Sequence, residues 1–227
     1  MTSALALMVL GFILGMRHST DPDHVIAVTT IVSGQKSASG AATIGAAWGL
    51  GHTLTILVFG GGIILFGWVI PPGIGLSMEF SVGLMLIVLG IMNLTGVMRR
   101  MDASRLRRLD SHLGKLAAYQ LVRPLVVGVV HGLAGSAAVA LLVLTTIRNP
   151  AWALWYLFVF GLGTIVGMML MTAVIVLPFA RTDDRFVRLG GLRVASGLIS
   201  LAFGLFVAYR VGLVNGLFTG NPEWAPQ

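Results

Sequence analysis

The sequence has few charged residues and no cysteine. Only 10% of its 227 residues are Asp, Glu, Lys or Arg, whereas a soluble domain carries about 25% because its surface must be solvated. This shortage excludes a soluble enzyme and a nucleic-acid-binding domain, although the net charge is +7. The lack of cysteine excludes a disulfide-stapled secreted scaffold and removes thiolates as metal ligands. The sequence also lacks a P-loop, so the chain by itself is not expected to hydrolyse nucleotides.

Long uncharged stretches dominate instead. Hydrophobic residues make up 56% of the chain, and neither Ser37–Met78 nor Asn149–Ala180 contains Asp, Glu, Lys or Arg. A helix that crosses a bilayer needs about 20 such residues. We therefore predict an all-α, polytopic membrane protein with six spans. The predicted spans are Thr2–Ser33, Gly40–Trp68, Leu76–Met98, Pro124–Ile147, Ala151–Phe179 and Leu189–Leu213.

The basic residues predict the orientation in the membrane. With the connection between the third and fourth spans in the cytoplasm, most Lys and Arg residues lie inside, and only Arg148 and Arg210 lie outside. Cytoplasmic loops carry such an excess, so we predict an inner-membrane protein with both termini extracytoplasmic. Leucines at helical spacing in residues 106–116 predict an amphipathic helix on the cytoplasmic leaflet. Within it, His112 is expected to be a solvated side chain.

The two halves of the chain resemble each other at an offset of 112 to 114 residues. Three helices in each half would make the second half enter the membrane from the opposite face, as in many secondary transporters. We therefore predict a single transmembrane domain (1–227) built of two inverted repeats, about 1–98 and 124–215, joined by a basic connection at about 99–123. Chance similarity between glycine-rich helices is the alternative. The matched elements are Gly15-x-x-His18 with Gly128-x-x-His131, Trp48–His52 with Phe160–Thr164, and Gly83, Gly90 with Gly197, Gly204.

The first predicted span contains a polar cluster between two apolar arms. Asp21 suits an N-cap and Pro22 suits the first position of a helix, so a broken helix is expected whose second half begins at Pro22. In a continuous helix, His18 and His24 would lie on different faces, six residues apart at about 100° each. The break would let both side chains converge inside the membrane, where ionisable groups are expensive and face a cavity or partners.

These side chains suit a divalent metal ion. Two imidazoles and a carboxylate, from His18, Asp23 and His24, favour Ni²⁺, Co²⁺ or Zn²⁺ over Cu⁺. His52 on the second span is expected to join them, and His131 and Asp21 are additional candidates. In a purely structural alternative, Asp21 is only a cap, Arg17 pairs with an aspartate, and the histidines are hydrogen-bonded between helices.

The segment from Arg17 to His24 resembles the HxxxxDH signature of the nickel/cobalt transporter (NicO, or NiCoT) family, and Gly51-His52-Thr53 resembles that family's second motif. The resemblance implies a permease for Ni²⁺ or Co²⁺, with His18, Asp23 and His24 binding the metal and His52 supporting them. The larger members have eight spans, so this chain is more similar to the six-span permeases associated with urease accessory genes. A metallochaperone or a urease or hydrogenase maturation protein is then the expected partner.

We therefore predict a membrane permease for a divalent transition metal, nickel first and cobalt second, that is not an enzyme and needs no resident cofactor. One alternative is a transporter of an anion or small organic solute, attracted by Arg17 and the N-terminus of the second half-helix. Another is a metal-dependent intramembrane enzyme, and a third is a membrane scaffold without transport. Glu79, near an external end of the third span, is expected to be interfacial.

Overall fold

The secondary structure of the described chain is helical. A computed structural model describes residues 2–35, 37–97, 121–134, 147, 149–180, 190–220 and 222–224, and within these ranges it has no strand. Residues 99–120, with the predicted amphipathic helix and His112, lie outside the described ranges. The helices are α1 (Thr2–His18), α2 (Pro22–Val32), α3 (Ala38–Phe66), α4 (Pro72–Leu94), α5 (Leu121–Ala134), α6 (Pro150–Ala180) and α7 (Gly191–Tyr209), which continues into a π-helical turn (Arg210–Val214).

Four helices are long and apolar enough to cross a membrane: α3, α4, α6 and the continuous stretch Gly191–Val214. On α3, the outward-facing Leu50 and Leu54 are each 54% exposed, whereas the polar His52 and Thr53 are buried. An apolar outside around a polar inside is the arrangement expected of a protein surrounded by lipid. The prediction of an all-α chain with long apolar helices is therefore confirmed.

Proline and glycine define the helix ends in the connection between α3 and α4. α3 ends where Gly67 adopts a left-handed conformation (φ 63°) and donates its N–H to the carbonyl of Ile63. α4 begins at Pro72, four residues before the predicted start at Leu76. The earlier start is compatible with the sequence, because proline is favourable at the first helical position, where its missing N–H is not needed.

Helices that match in sequence run antiparallel where they pack. Along α3, Gly45 lies against Met168 of α6 and, two turns later, Thr53 lies against Gly161, so the contacts proceed in opposite directions along the two helices. The Thr53 hydroxyl also donates to the Gly161 carbonyl (3.0 Å). α4 and α7 are antiparallel in the same way. Their close contacts join Gly83 with Gly204 and Gly90 with Gly197.

The remaining helix pairs exchange partners between the two halves. Gly15 of α1 lies against the carbonyl oxygen of Phe160 in α6, and its sequence counterpart Gly128 of α5 lies against the carbonyl oxygen of Trp48 in α3. A Cβ atom at either glycine would overlap that oxygen, so both helix pairs depend on glycine for their close approach. The contact of Gly15 in the first half thus has an equivalent in the contact of Gly128 in the second half.

The half-helix α2 lies at the centre of the bundle. It contacts α3, α4, α6 and α7, and its residues Ala27 and Val28 are fully buried. Its C-terminal end is held by the Asn93 side chain of α4, whose amide nitrogen lies 3.0 Å from Ser196 Oγ and 3.2 Å from Ser33 Oγ. The same nitrogen lies 3.4 Å from the carbonyl oxygen of Thr30. The Asn93 amide therefore joins the C-terminal end of α2 to α4 and α7.

Replacing Asn93 by alanine is expected to lower the free energy of unfolding by about 1–3 kcal/mol, because its buried partners lose their hydrogen bonds. The change can be measured by denaturant unfolding of the purified protein in micelles. Thr95→Ala is the matched control, since the Thr95 hydroxyl is exposed and bonds only within its own helix, to the carbonyl of Ile91. Equal stability of the two variants would contradict a structural role for the Asn93 amide.

Candidate metal centre

The first apolar segment is divided into two helices at the predicted place. α1 ends at His18, and α2 begins at Pro22, which occupies the first helical position. Between them Asp21 is extended (φ −60°, ψ 146°). Because the chain turns at this break, the rings of His18 and His24 meet with their centroids 4.7 Å apart, although six residues separate them in sequence.

Four imidazoles form one buried cluster around His24. The His24 ring lies 4.7 Å from that of His18, 5.0 Å from that of His52 and 4.2 Å from that of His131, centroid to centroid. His24, His52 and His131 are each at most 2% exposed. α1 and α2 supply two of these rings, α3 supplies the third, and α5 supplies the fourth. The cluster therefore joins side chains from both halves of the chain.

Two aspartates orient the imidazoles. Asp23 Oδ1 accepts from His24 Nδ1 (3.0 Å) and Asp23 Oδ2 accepts from His131 Nε2 (2.9 Å). Asp21 Oδ2 accepts from His18 Nδ1 (2.8 Å). Since a carboxylate can only accept, the histidine nitrogen in each pair carries the proton. The second nitrogen of each ring is thereby left with a free lone pair, as in carboxylate–histidine–metal arrangements.

The remaining ring nitrogens lie close enough together for a shared ion. His18 Nε2 and His52 Nε2 are hydrogen-bonded to each other at 3.1 Å, and two nitrogen ligands about 2.1 Å from one ion are separated by a similar distance. His24 Nε2 is buried and has no hydrogen-bond partner among the described residues. Ligand atoms of His18, His24 and His52 all lie within 4.8 Å of one another, as do those of Asp23, His24 and His131. The two groups share His24, and each could hold a metal ion.

A cavity of about 460 Å³ adjoins the cluster. It is lined at one end by His18, Asp23, His24 and His131, whereas His52 lies outside its lining. Asp23 keeps 33% side-chain exposure despite its two histidine partners. The cavity extends from the cluster towards the ends of α4 and α7 that carry Glu79, Arg210 and Asn215.

Three neighbouring residues differ from their sequence interpretations. Asp21 occupies the N-cap position, but its side chain makes no capping hydrogen bond and binds His18 instead. Arg17 is exposed and forms no ion pair with the described carboxylates, which contradicts the Arg17–aspartate pair of the structural alternative. Glu79, interpreted as interfacial, lines the cavity.

Sequence reasoning missed Trp48. Its fully buried indole stacks on His24, with ring centroids 5.8 Å apart and an interplanar angle of 15°. Trp48 precedes His52 by four residues, so both side chains lie on one face of α3. This four-residue spacing is the sequence feature that could have pointed to Trp48. The indole limits the space on one side of the imidazole cluster and helps to hold the His24 ring in place.

The chain is similar to a curated protein over nearly its whole length. It is 36% identical over 223 residues to the urease accessory protein UreH of Bacillus sp. (strain TB-90), and the match covers 94% of this chain and 95% of the relative. No family model matches the chain, and no solved structure matches it. The similarity covers both halves of the chain, and not the first helix pair alone.

Proposed function

We propose a transport function from the premise that this chain belongs to the family of the urease accessory protein UreH. The protein is a membrane permease that carries a divalent transition-metal ion, Ni²⁺ first and Co²⁺ second. The observation that carries this proposal is the buried group of three imidazoles whose ligand atoms lie within 4.8 Å of one another. An accessory protein of urease that lies in the membrane fits the supply of a metal ion to that enzyme's maturation.

The metal is held at the break between α1 and α2. His18, His24 and His52 provide neutral nitrogen ligands, and Asp23 provides the negative charge that offsets the cation and orients His24. His131 belongs to the site through Asp23, and Asp21 orients His18. Imidazole and carboxylate donors without thiolates favour Ni²⁺, Co²⁺ and Zn²⁺, and the resemblance of Arg17–His24 to the nickel/cobalt transporter signature selects nickel and cobalt among them.

We propose a transport route from the matching helix contacts in the two halves of the chain. We propose six spans in two inverted repeats, about 1–98 and 124–215, within one domain. This is supported by the antiparallel packing of α3 with α6 and by the exchanged contacts of Gly15 and Gly128. Sites between inverted repeats can be reached alternately from either side when one repeat rocks against the other. The positive-inside distribution favours an inner-membrane protein with both termini extracytoplasmic. The similarity to a urease accessory protein favours a metallochaperone or a urease maturation protein as the cytoplasmic partner.

The rival anion transporter receives no support from Arg17, which is exposed and does not line the cavity. Two aspartates at the break, Asp21 and Asp23, would also repel an anion from the N-terminus of α2. A metal-dependent enzyme would need space for an organic substrate next to the metal-binding nitrogens. His52 supplies one of these nitrogens but does not line the cavity. A small cation fits this geometry better than a substrate does.

Nickel is expected to raise the melting temperature of the purified protein, because a ligand that binds only the folded state stabilises it. At saturating concentrations, Ni²⁺ and Co²⁺ should produce larger shifts than Mn²⁺, which prefers oxygen ligands. The shift should shrink when the pH is low enough to protonate the imidazoles, since histidine binds a metal only in its neutral form and protons compete with the ion.

Mg²⁺ at the same concentrations is the control for ionic effects on the micelle. Equal shifts for Ni²⁺ and Mg²⁺ would contradict an imidazole site.

A further inference from the structure

Glu79 lies in the cavity that leads to the histidine cluster. It is half-buried on α4 and shares the cavity lining with Asp23 and His24. One of its carboxylate oxygens, Oε1, accepts a hydrogen bond from the indole Nε1–H of Trp224 (2.8 Å). The neighbouring cavity wall is apolar and includes Val82 and Phe203. A carboxylate beside such walls, with one oxygen already bound, keeps its second oxygen for a cation.

The chain beyond α7 folds back to hold this carboxylate. Trp224 packs on Ile63, and a Cβ atom on Gly75 would overlap its indole, so Gly75 leaves the space that the ring fills. The backbone N–H of Glu223 donates to the carbonyl of Asn215 (3.0 Å) and closes the return of the chain. The position of Trp224 is therefore built by three separate segments, and the indole fixes where Glu79 points.

Arg210 lines the same cavity as Glu79 and forms no ion pair within 4.0 Å among the residues that are described. The part of the cavity farther from the histidine cluster therefore contains one negative and one positive side chain, Glu79 and Arg210. A cation passing towards Asp23 is attracted by the first and repelled by the second. Removing either charge should therefore change the KM for the cation, and the two changes should have opposite signs.

We propose that Glu79 is a first, weak binding station for the divalent cation on its way to the histidine cluster, and that Trp224 positions its carboxylate. This inference rests on the proposed transport function and adds a specific residue to it. Glu79 binds the ion through carboxylate oxygen only, so it captures a hydrated divalent cation without selecting nickel. Selection takes place at the imidazoles beyond it.

The test measures initial rates of nickel uptake by proteoliposomes together with nickel-induced stabilisation of the purified protein. Glu79→Gln keeps the shape and removes the charge, and should raise KM about 10-fold with kcat within about twofold. Glu79→Asp keeps the charge and should restore most of the low KM. Trp224→Phe should raise KM by about twofold to threefold, because the carboxylate is no longer held in place. Stabilisation by saturating nickel should persist in all three variants.

Charge controls separate this role from a structural one. Glu223→Gln removes the same charge from an exposed neighbour of Trp224 that does not line the cavity, and should leave KM unchanged. Arg210→Gln should lower KM, opposite to Glu79→Gln, and both effects should diminish at high salt. Equal KM values for Glu79→Gln and Glu223→Gln, or loss of nickel stabilisation in Glu79→Gln, would contradict the proposed binding of the cation by Glu79. Absence of nickel uptake and of nickel stabilisation in the unchanged protein would instead overturn the transport function.

Discussion

Replacing His24 by alanine is expected to abolish nickel binding and uptake. His24 belongs to both groups of ligand atoms that could hold an ion, and its ring is the one from which the other three imidazoles are within about 5 Å. Loss of an outer-shell partner already costs about 10–100-fold in metal affinity, so loss of this ligand should cost more. Nickel stabilisation of the purified variant and uptake by proteoliposomes are the measurements.

His112→Ala is the matched control, because His112 is the histidine that the sequence predicts to be solvated outside the spans. Since alanine leaves a cavity beside Trp48, His24→Gln provides a second variant that fills more of the space while lacking the imidazole. Size-exclusion profiles of both His24 variants should match that of the unchanged protein. Nickel affinity within twofold of the unchanged value in a folded His24 variant would remove the proposed site.

The break in the first helix pair could be predicted from the sequence because its cause is local. Pro22 cannot donate a backbone hydrogen bond and suits only the first turn, and Asp21 before it favours an extended conformation. These preferences act over a few residues and need no information on the rest of the chain. The direction of the Asp21 side chain could not be predicted in this way. Its contact with His18 competes with capping and depends on the turn that follows α1.

The place of His131 in the cluster depended on long-range packing. A lone histidine in an apolar segment serves equally well as a hydrogen-bonded structural group, so its sequence context left both interpretations open. What brings it to Asp23 is the close approach of α5 to α3, where Gly128 and Gly132 face the backbone of Trp48 and His52. The match between Gly15-x-x-His18 and Gly128-x-x-His131 was the signal, because both glycines make close helix contacts and each precedes its histidine by three residues.

Glu79 shows why a single acid near the end of a span is hard to interpret. Its role in the cavity follows from α7 on one side and from Trp224 on the other, and Trp224 lies 145 residues away in sequence. No periodicity or local motif connects these positions. Hydropathy predicts which helices exist and roughly where they end, but it does not predict which side of a cavity each polar group faces.

Asp23→Asn is expected to lower nickel affinity by about 10–100-fold, the cost usual for a residue that orients a ligand. Asp23 accepts hydrogen bonds from His24 Nδ1 and His131 Nε2 through its two oxygens, whereas an amide has one accepting oxygen and an NH₂ group that must face the other ring. One histidine would then change its tautomer or lose its partner. The variant also lacks the negative charge that offsets the bound cation.

The comparison with Asp21→Asn isolates this effect. Among the described residues, the Asp21 side chain pairs only with His18, and it is 49% exposed, so water screens its charge and the loss of affinity should stay below about 10-fold. Asp23→Asn also leaves a buried histidine N–H without its acceptor, which should lower the stability of the metal-free protein by about 1–3 kcal/mol. Size-exclusion profiles that match that of the unchanged protein therefore separate orientation of the ligands from simple misfolding. Equal nickel affinities in the two variants would mean that Asp23 does not orient the imidazoles that bind the ion.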